Sequence, residues 1–551
     1  MTKRPPMETT VPSAGAFSGD NLWRKLSYAL ILLVGLIMLF TFLDYGVTTD
    51  EEPQRMYGDS VLSWYTSFFQ DRAAVDGDSY QVLFGGFFEV LGQLAARVLP
   101  WGLYESRHLV NGLFGLLAIA AAYKIASCVV NPMAGFFSAF FLTLTPAFYG
   151  HSFNNSKDIP FATMYAISLY FILTSYGKLP RLSKSSLIKT GASIGLTAAV
   201  RVGGLVLFGY MAAFWFGWLL SQWGAKALDK ADERRKKIVS LALSYVLIAV
   251  IGWVAMLAWW PWGQLNPLVN PFKALAMFGR YDLALGVHSL FKGRYIPAED
   301  LPRSYLPTWF SISLPEFYFI ALAAGCIFTG RFILRFKKDA VHYERLSKMT
   351  LLCIGALFPV ITAILLRPPL YETMRHFLFV IPPLAVLAGV SFAGLLRSRI
   401  DWRVKAAASV LMTIASGMVV VDMIQLHPYQ YVFYNRAVAG GLKRASLEFD
   451  TEYWGASNRE GIEWLVKNYH PPGEEPIGLM TCDGLPFQID YFLNRSDETR
   501  QRFRAVGTEE EAHILLASLR RRCRETPGKV LHVVERQGAP LLYVIELRSP
   551  R

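Results

Sequence analysis

Long runs of apolar residues constrain the fold of this 551-residue chain more than any other feature of its sequence. About 20 apolar residues in a helix cross a hydrocarbon core of about 30 Å. Eleven runs are candidate spans, and the fifth is the shortest: 25–43, 107–127, 132–149, 159–177, 187–200, 203–221, 238–261, 313–333, 349–366, 377–396 and 404–425. Only 18% of the residues are charged, whereas soluble domains average about a quarter. The sequence therefore predicts an α-helical polytopic membrane protein with about 11 transmembrane helices.

The distribution of basic residues predicts the orientation of these spans. With the amino terminus in the cytoplasm, the short cytoplasmic segments carry 24 Lys and Arg residues in 82 positions: 1–26, 178–189, 222–238, 331–348 and 397–405. The first external loop, 44–105, carries three Arg and ten Asp or Glu. An excess of Lys and Arg in short cytoplasmic loops is the usual orientation signal. It accounts for the net charge of +13 without a nucleic-acid partner, and it places the carboxyl terminus outside.

The predicted organisation has three parts. A cytoplasmic tail, 1–24, precedes a transmembrane domain, 25–425, which has two long external loops, 44–105 and 262–312. An external region, 426–551, follows. Within the first loop, an apolar stretch over 80–99 is broken by polar residues and Gly, which predicts an amphipathic helix at the membrane interface. The alternative, a twelfth span, would invert every later segment and spoil the charge pattern.

The region 426–551 is polar and contains no candidate span. Its pattern predicts a helix over Gly461 to Tyr469 and strands over Pro476 to Thr481, Val530 to Glu535 and Leu541 to Leu547. We therefore expect a small external α/β domain. Two cysteines of this region, Cys482 and Cys523, could form a disulfide if it is exported, but their spacing alone leaves the pairing open.

Charged and polar residues gather at the external ends of several spans. Such groups are costly at membrane depth and usually face a cavity or a partner. The candidate site residues are Asp50, Glu51, Glu52, Lys157, Asp158, Arg201, Arg375 and His376. Taken singly, each has a simpler interpretation, such as a solvated loop, a local ion pair or a side chain that reaches to the interface.

Taken together, these residues indicate chemistry on a phosphate-linked substrate. A carboxylate can remove the proton of an acceptor hydroxyl. Arg and Lys bind phosphate, and they stabilise the charge that develops when a phosphate leaves. A donor with a lipid tail would explain why such a site lies at the surface of the bilayer.

The motifs that contain these residues resemble those of the GT-C glycosyltransferases. The likeness is greater to glycosyltransferase family 39, which includes protein O-mannosyltransferases and lipid A aminoarabinose transferases. The matching segments are Thr49-Asp50-Glu51, Asn155-Ser156-Lys157-Asp158-Ile159-Pro160, Thr197-Ala198-Ala199-Val200-Arg201 and Arg375-His376-Phe377. Two later segments, His427-Pro428-Tyr429-Gln430-Tyr431 and Asp450-Thr451-Glu452-Tyr453-Trp454-Gly455, resemble bacterial members with no assigned acceptor.

The resemblance implies a hexosyl- or pentosyltransferase that uses a polyprenyl-phosphate sugar and works with inversion on the external, periplasmic face of a bacterial inner membrane. The acceptor would be a hydroxyl of a lipid, a glycan or a protein. The implied roles are a general base, Asp50, supported by Glu51; phosphate contacts from Lys157, Arg201, Arg375 and His376; and acceptor orientation by Asp158 and Glu52. Three consecutive acids leave open which of them faces the pocket. They also offer ligands for a divalent metal, and the resemblance leaves open whether one is used.

Two other classes of protein remain as alternatives. A transporter or flippase of a lipid-linked sugar would use the same cations to bind phosphate and would need no base. Transporters often have interrupted spans in two related halves, and no such halves are visible in the sequence. A membrane scaffold that binds a partner would leave the acid cluster and Arg201 without a role.

Overall fold

The computed structural model of the chain describes residues 14–77, 80–224, 231–280, 286–334, 340–470, 475–482, 484–519, 523 and 525–548. Most of the predicted tail, residues 1–13, lies outside these ranges. In the described residues, eight helices are long and apolar enough to cross a membrane, and up to ten spans result if two bent helix pairs each count as one. The chain is therefore a multi-pass helical membrane protein.

The membrane part contains a helix at every predicted span and several helices between the spans. They are α1 (Ala14–Thr41), α2 (Glu51–Thr66), α3 (Ala73–Asp76), α4 (Phe87–Val98), α5 (Leu103–Val129), α6 (Pro132–Thr143), α7 (Pro146–Asn154), α8 (Asp158–Ser175), α9 (Lys184–Ala198), α10 (Val206–Gly224), α11 (Ala231–Leu257), α12 (Pro261–Leu265), α13 (Asn270–Arg280), α14 (Tyr305–Ser313), α15 (Glu316–Leu334), α16 (Ala340–Leu366), α17 (Ile381–Arg397) and α18 (Trp402–Leu426). A hairpin of β1 (His288–Phe291) and β2 (Arg294–Pro297) lies between α13 and α14.

The predicted fifth span, 187–200, corresponds to α9, which has 15 residues. At 1.5 Å per residue it is about 22 Å long, shorter than a hydrocarbon core of about 30 Å. The described residues therefore contain one span fewer than the predicted eleven by length and composition. Helix α9 is nevertheless packed into the bundle, because Gly191 and Gly195 let it lie close to the backbone of α11 at Gly252.

Two candidate spans are sharply bent. Helices α6 and α7 meet at 66°, and Tyr305–Ser313 meets Glu316–Ile327 at 109°. A proline stands at each break, Pro146 and Pro315, where it cannot donate a helical hydrogen bond. After the first bend, α7 leads through the 155–158 segment into the beginning of α8, where Lys157 and Asp158 lie.

The first long loop contains more helix than the sequence predicts. The segment 80–99 forms a 3-10 turn (Tyr80–Leu83) followed by the 12-residue helix α4, which is too short to span a membrane. Helix α2 was not anticipated, since the sequence analysis treats the residues after the acid triplet as a loop. It starts at Glu51 and packs on α4, so the triplet lies at the beginning of a helix.

The C-terminal region is a small α/β unit, as predicted. It contains α19 (Leu442–Ala445), α20 (Asn458–Asn468), α21 (Pro486–Leu493), α22 (Asp497–Arg502), β3 (Ile477–Thr481), β4 (Phe503–Ala505), β5 (Ile514–Ser518), β6 (Lys529–Arg536) and β7 (Ala539–Glu546). The sheet order is β4-β3-β5-β7-β6. Strands β3, β6, β7 and helix α20 match the prediction within a few residues, whereas β4 and β5 were missed. Cys482 and Cys523 form a disulfide.

Candidate active site

The first two acids of the triplet have different surroundings. Glu51 is buried, and its carboxylate accepts hydrogen bonds from the backbone N–H of Thr48 at 2.7 Å and from its hydroxyl at 3.1 Å. Its other oxygen lies 2.8 Å from Nε2 of His108 on α5. Asp50 is 32% exposed and lies 3.1 Å from Nη1 of Arg375. Glu51 therefore anchors the start of α2, while Asp50 faces the candidate site.

The third acid, Glu52, forms hydrogen bonds with side chains of α2 and α5. It accepts hydrogen bonds from Nε and Nη2 of Arg55 at 2.5 and 2.7 Å and from the hydroxyl of Tyr104 at 2.5 Å. Burial raises its pKa, but the hydrogen bonds from Arg55 and Tyr104 outweigh burial, so the pKa lies below its usual value. The carboxylate of Glu52 already has two partners, Arg55 and Tyr104. Its role towards an acceptor stays a prediction.

Arg375 is the centre of the cluster. Its side chain is 4% exposed and its guanidinium contacts three carboxylates: Asp50 at 3.1 Å, Asp158 at 3.5 Å and Glu372 at 2.5 Å. It lies in a 3-10 segment, Arg375–Val380, that leads into α17. Planar guanidinium groups suit such multiple contacts with carboxylates. The structure thus brings together predicted residues from three distant parts of the chain.

Asp158 links the two arginines. One carboxylate oxygen forms an ion pair with Arg201, and the other lies 3.5 Å from Arg375 and accepts a hydrogen bond from Asn155 at 2.9 Å. The side chain of Asn155 also accepts from the backbone N–H of Asp158 at 2.9 Å. The 155–158 segment after the bent α6–α7 pair therefore holds a buried carboxylate between two cations.

Lys157 lies beside this pair and is also buried. Its side chain is 9% exposed, its Nζ donates to the amide oxygen of Gln81 at 2.9 Å, and it lies 3.7 Å from the ring centroid of Phe84. Burial, together with the positive charge of Arg201, lowers the pKa of Lys157 to about 8, although nearby carboxylates including Asp50 oppose the shift. Its direct hydrogen-bond partner is neutral, whereas Arg201 and Arg375 pair with carboxylates.

An apolar cavity opens beside these cations. Its volume is about 430 Å³, and Arg201 and His376 line it together with apolar residues of α8, α10, α13 and α16, among them Phe161, Val206, Tyr210, Leu275, Phe278, Phe358, Thr362 and Leu366. The ring of His376 packs edge-on against Tyr371, with 4.9 Å between centroids. The lining of the cavity is therefore mostly apolar and includes two basic residues, Arg201 and His376.

Sequence reasoning missed several residues of this site. Glu372 pairs with Arg375, Gln81 binds Lys157, and His108 binds Glu51. Trp454 of the C-terminal region places its ring 4.7 Å from the guanidinium carbon of Arg375. Glu372 lies three residues before Arg375 in the sequence, but no sequence signal joins Trp454 to Glu372 across 82 positions.

The acidic residues of the candidate site were compared with the requirements of a metal site. Among the residues that the structure describes, no group of three or more His, Cys, Asp or Glu side chains could hold a metal ion. The acid triplet, which the sequence analysis offered as ligands, is divided among separate partners, since Asp50, Glu51 and Glu52 bind Arg375, His108 and Arg55 respectively.

The family comparison matches residues 105–259 to the model described as dolichyl-phosphate-mannose-protein mannosyltransferase. This segment contains Lys157, Asp158 and Arg201, while Asp50 and Arg375 lie outside it. A comparison with curated protein sequences found no match.

Solved structures of two proteins are among those similar to this chain. The apo oligosaccharyltransferase of Archaeoglobus fulgidus has a TM-score of 0.50 at 14% identity, covering 88% of this chain and 65% of that chain. ArnT from Cupriavidus metallidurans in the apo state has a TM-score of 0.50 at 14% identity, covering 96% and 98%. ArnT bound to undecaprenyl phosphate has a TM-score of 0.47 at 14% identity, covering 94% and 97%. This chain thus spans less than two thirds of the oligosaccharyltransferase.

The fold and the family match agree with each other. The helical bundle has a fold similar to that of ArnT over nearly the whole of that chain, and the mannosyltransferase family model matches the part that carries three of the candidate site residues. The fold is therefore the one that the sequence resemblance predicts.

Proposed function

We propose that this protein transfers a sugar from a polyprenyl-phosphate donor to an acceptor hydroxyl on the external face of the membrane. One observation carries the proposal: a partly exposed carboxylate, Asp50, lies beside a linked set of cations that borders an apolar cavity. A base, a phosphate site and a lipid site are the three parts that such a transfer requires. Asp50, the neighbouring cations and the apolar cavity are our candidates for these three parts, and they lie side by side.

The apolar cavity is the proposed site of the donor lipid. Its wall between α10, α13 and α16 suits an isoprenoid chain, and Arg201 and His376 on the same wall suit the phosphate. Lys157, held close by Gln81 and Phe84, adds a second cation on this side. Arg and Lys bind phosphate oxygens through charge-assisted hydrogen bonds.

Asp50 is the proposed general base. It is more exposed than the other carboxylates of the cluster, and Arg375 holds it by an ion pair of 3.1 Å. In the reaction, Asp50 takes the proton of the acceptor hydroxyl while the acceptor oxygen bonds to the anomeric carbon. The bond from that carbon to the phosphate oxygen breaks on the opposite side, so the configuration inverts. Polyprenyl phosphate leaves with the bonding electrons, and the nearby cations stabilise its charge.

The proposal also includes roles for Glu51 and Asp158, a family, and the classes of sugar and acceptor. Glu51 supports the base indirectly by fixing the start of α2, and Asp158 orients Arg201 and Arg375. Glycosyltransferase family 39 is supported by the quoted motifs and by the mannosyltransferase match over 105–259. The sugar is a hexose or a pentose, and the acceptor is a hydroxyl of a lipid, a glycan or a protein.

The charge pattern and the disulfide support an external, periplasmic location of the site in a bacterial inner membrane. The C-terminal domain contacts the site directly through Trp454, so both lie on one side of the membrane. Disulfides such as that between Cys482 and Cys523 persist in oxidising compartments outside the cytoplasm. In the predicted topology, which requires the short helix α9 to cross the membrane, the five basic segments lie on the opposite side.

The experiment uses the full chain in lipid nanodiscs with a panel of polyprenyl-phosphate sugars and candidate acceptors. We expect release of free polyprenyl phosphate from at least one donor, together with a glycosylated acceptor. A transporter or flippase is the alternative function. Donor binding without release from any member of the panel, accompanied by donor translocation in proteoliposomes, would replace the transferase with that alternative.

A further inference from the structure

Trp454 reaches the candidate site from the C-terminal region and touches two of its charged residues. Its side chain is 1% exposed, its ring lies 4.7 Å from the guanidinium carbon of Arg375, and its indole N–H donates to a carboxylate oxygen of Glu372 at 3.0 Å. Cation–π contacts of this kind strengthen when they are removed from water. One side chain therefore contacts both members of the Glu372–Arg375 ion pair.

The backbone of Trp454 also holds the chain that leads to Asp50. Its carbonyl oxygen accepts the N–H of Thr49 at 3.0 Å and the side-chain amide of Gln488 at 3.1 Å. The same Gln488 amide donates to the carbonyl of Val47 at 2.8 Å. The residues immediately before Asp50 are thus bound to the C-terminal domain at two points.

A buried carboxylate fixes the turn that carries Trp454. Glu452 accepts hydrogen bonds from the backbone N–H groups of Trp454 and Gly455 at 3.1 Å, from the hydroxyl of Ser457 at 2.9 Å and from the hydroxyl of Tyr431. Gly455 has φ +75°, a conformation that favours glycine. The turn is therefore held at several points, and its placement of the indole ring is determined by buried contacts.

We propose that Trp454 is a positioning residue of the active site, through which the C-terminal domain holds Arg375 and Asp50 in their catalytic arrangement. Arg375 contacts three carboxylates and could favour any of them. By covering one face of the guanidinium and engaging Glu372, Trp454 keeps Nη1 of Arg375 directed at Asp50. The catalytic part of this inference rests on the proposed transferase function.

The kinetic test compares two substitutions with a matched control. Trp454→Phe keeps an aromatic ring but loses the N–H donor to Glu372, and we expect kcat to fall about tenfold. Trp454→Leu also loses the ring, and we expect a fall of about 100-fold, the scale of a misplacement of about 1 Å. KM for the donor should change less than about threefold, because Lys157 and Arg201 keep their own partners. The control, Trp464→Phe, alters a tryptophan of the same domain that stacks on His532, and should leave kcat within about twofold.

A second measurement does not depend on catalysis. Hydrogen–deuterium exchange of the full chain should show backbone amides of the 371–378 segment exchanging roughly tenfold faster in Trp454→Leu than in the wild type. Trp464→Phe should leave this segment unchanged. A melting temperature near that of the wild type, with the Cys482–Cys523 disulfide formed, would show that the variants are folded.

The two measurements separate the outcomes. If the wild type releases no polyprenyl phosphate from any donor, the proposed function fails, and hydrogen exchange alone decides whether Trp454 holds the segment. If the wild type is active but both Trp454 variants keep wild-type kcat, Trp454 is not a positioning residue. Unchanged exchange in Trp454→Leu would overturn the inference whatever the activity, and so would a change confined to KM.

Discussion

Replacing Asp50 with asparagine separates two roles that this side chain could have. The carboxylate could act as the general base, or it could serve only as an ion-pair partner of Arg375, 3.1 Å away. Asparagine has nearly the same volume and keeps an oxygen that can accept a hydrogen bond from Arg375. The substitution therefore removes the basic group and the negative charge while preserving the local packing.

The two roles predict losses of different size. Asp50 is 32% exposed, and Arg375 keeps Asp158 and Glu372 as partners, so we expect the loss of this one pairing to cost about 1 kcal/mol. The loss of that contribution alone would reduce the rate roughly fivefold, since 1.36 kcal/mol is tenfold. The loss of a general base typically reduces the rate by about 10² to 10⁴. The magnitudes are far enough apart for one rate measurement to decide.

The assay is single-turnover release of polyprenyl phosphate in nanodiscs, with donor affinity measured separately. We expect Asp50→Asn to slow release at least about 100-fold and to leave donor affinity within about threefold. Glu52→Gln is the matched control, because Glu52 is a neighbouring acid bound to Arg55 and Tyr104. It should reduce the rate less than about tenfold.

A small effect would refute this assignment. If Asp50→Asn keeps more than about a tenth of the wild-type rate, the pairing with Arg375 accounts for the whole effect and the base is another group. If Glu52→Gln is as slow as Asp50→Asn, the loss does not depend on the position of Asp50 beside Arg375. The base assignment would then fail for this residue.

Three further predictions concern the cations and the disulfide. Because the pKa of Lys157 is lowered to about 8, affinity for polyprenyl phosphate should fall as pH rises through 8, and Lys157→Arg should abolish this alkaline limb. Arg201→Ala should weaken lipid-phosphate binding roughly tenfold or more, as expected for one charge-assisted hydrogen bond, in a direct binding assay. Cys482→Ser should destabilise the C-terminal domain by about 2–4 kcal/mol, measured as faster limited proteolysis of the full chain.

Each of these predictions has a result that contradicts it. An alkaline limb that persists in Lys157→Arg would assign the titration to another group. Unchanged lipid-phosphate affinity in Arg201→Ala would make the Arg201–Asp158 pair purely structural. Equal proteolysis rates for Cys482→Ser and the wild type would show that the disulfide adds little to the stability of the domain. The pKa of Lys157 also predicts how stability depends on pH. In the unfolded chain the Lys157 side chain keeps its proton up to about pH 10.5, whereas in the folded chain it loses the proton near pH 8. Between these two pH values the unfolded chain binds more protons, so the free energy of unfolding rises with pH.

The transmembrane helices were predictable because hydropathy is a local property of the sequence. Ten of the eleven predicted spans correspond to long apolar helices or bent pairs. The exception, α9, has only 15 residues, and its close packing against α11 depends on small residues that hydropathy ignores. Strand β4 was missed because its three residues carry too little periodicity to be distinguished from a loop. Strand β5 was missed although it has five residues, as many as the predicted β3.

The position of the site was predictable, but the roles of individual residues were less so. Asp50, Lys157, Asp158, Arg201 and Arg375 do lie together, as their placement at the external ends of spans suggested. The sequence could not show which acid faces the pocket. That choice depends on which partners α5 presents to α2, and such tertiary contacts have no signal in a single sequence.

The balance of charge within the candidate site suggests how the proposed transfer could be accelerated. Arg201 and Arg375 are paired with Asp158, Asp50 and Glu372. The bound donor is a phosphodiester with a single negative charge, which competes weakly for these cations. As the bond to the sugar breaks, the phosphate gains a second charge while Asp50 accepts a proton and loses its own. The attraction of Arg375 can then pass from Asp50 to the departing phosphate, so the site stabilises the transition state more than the bound donor.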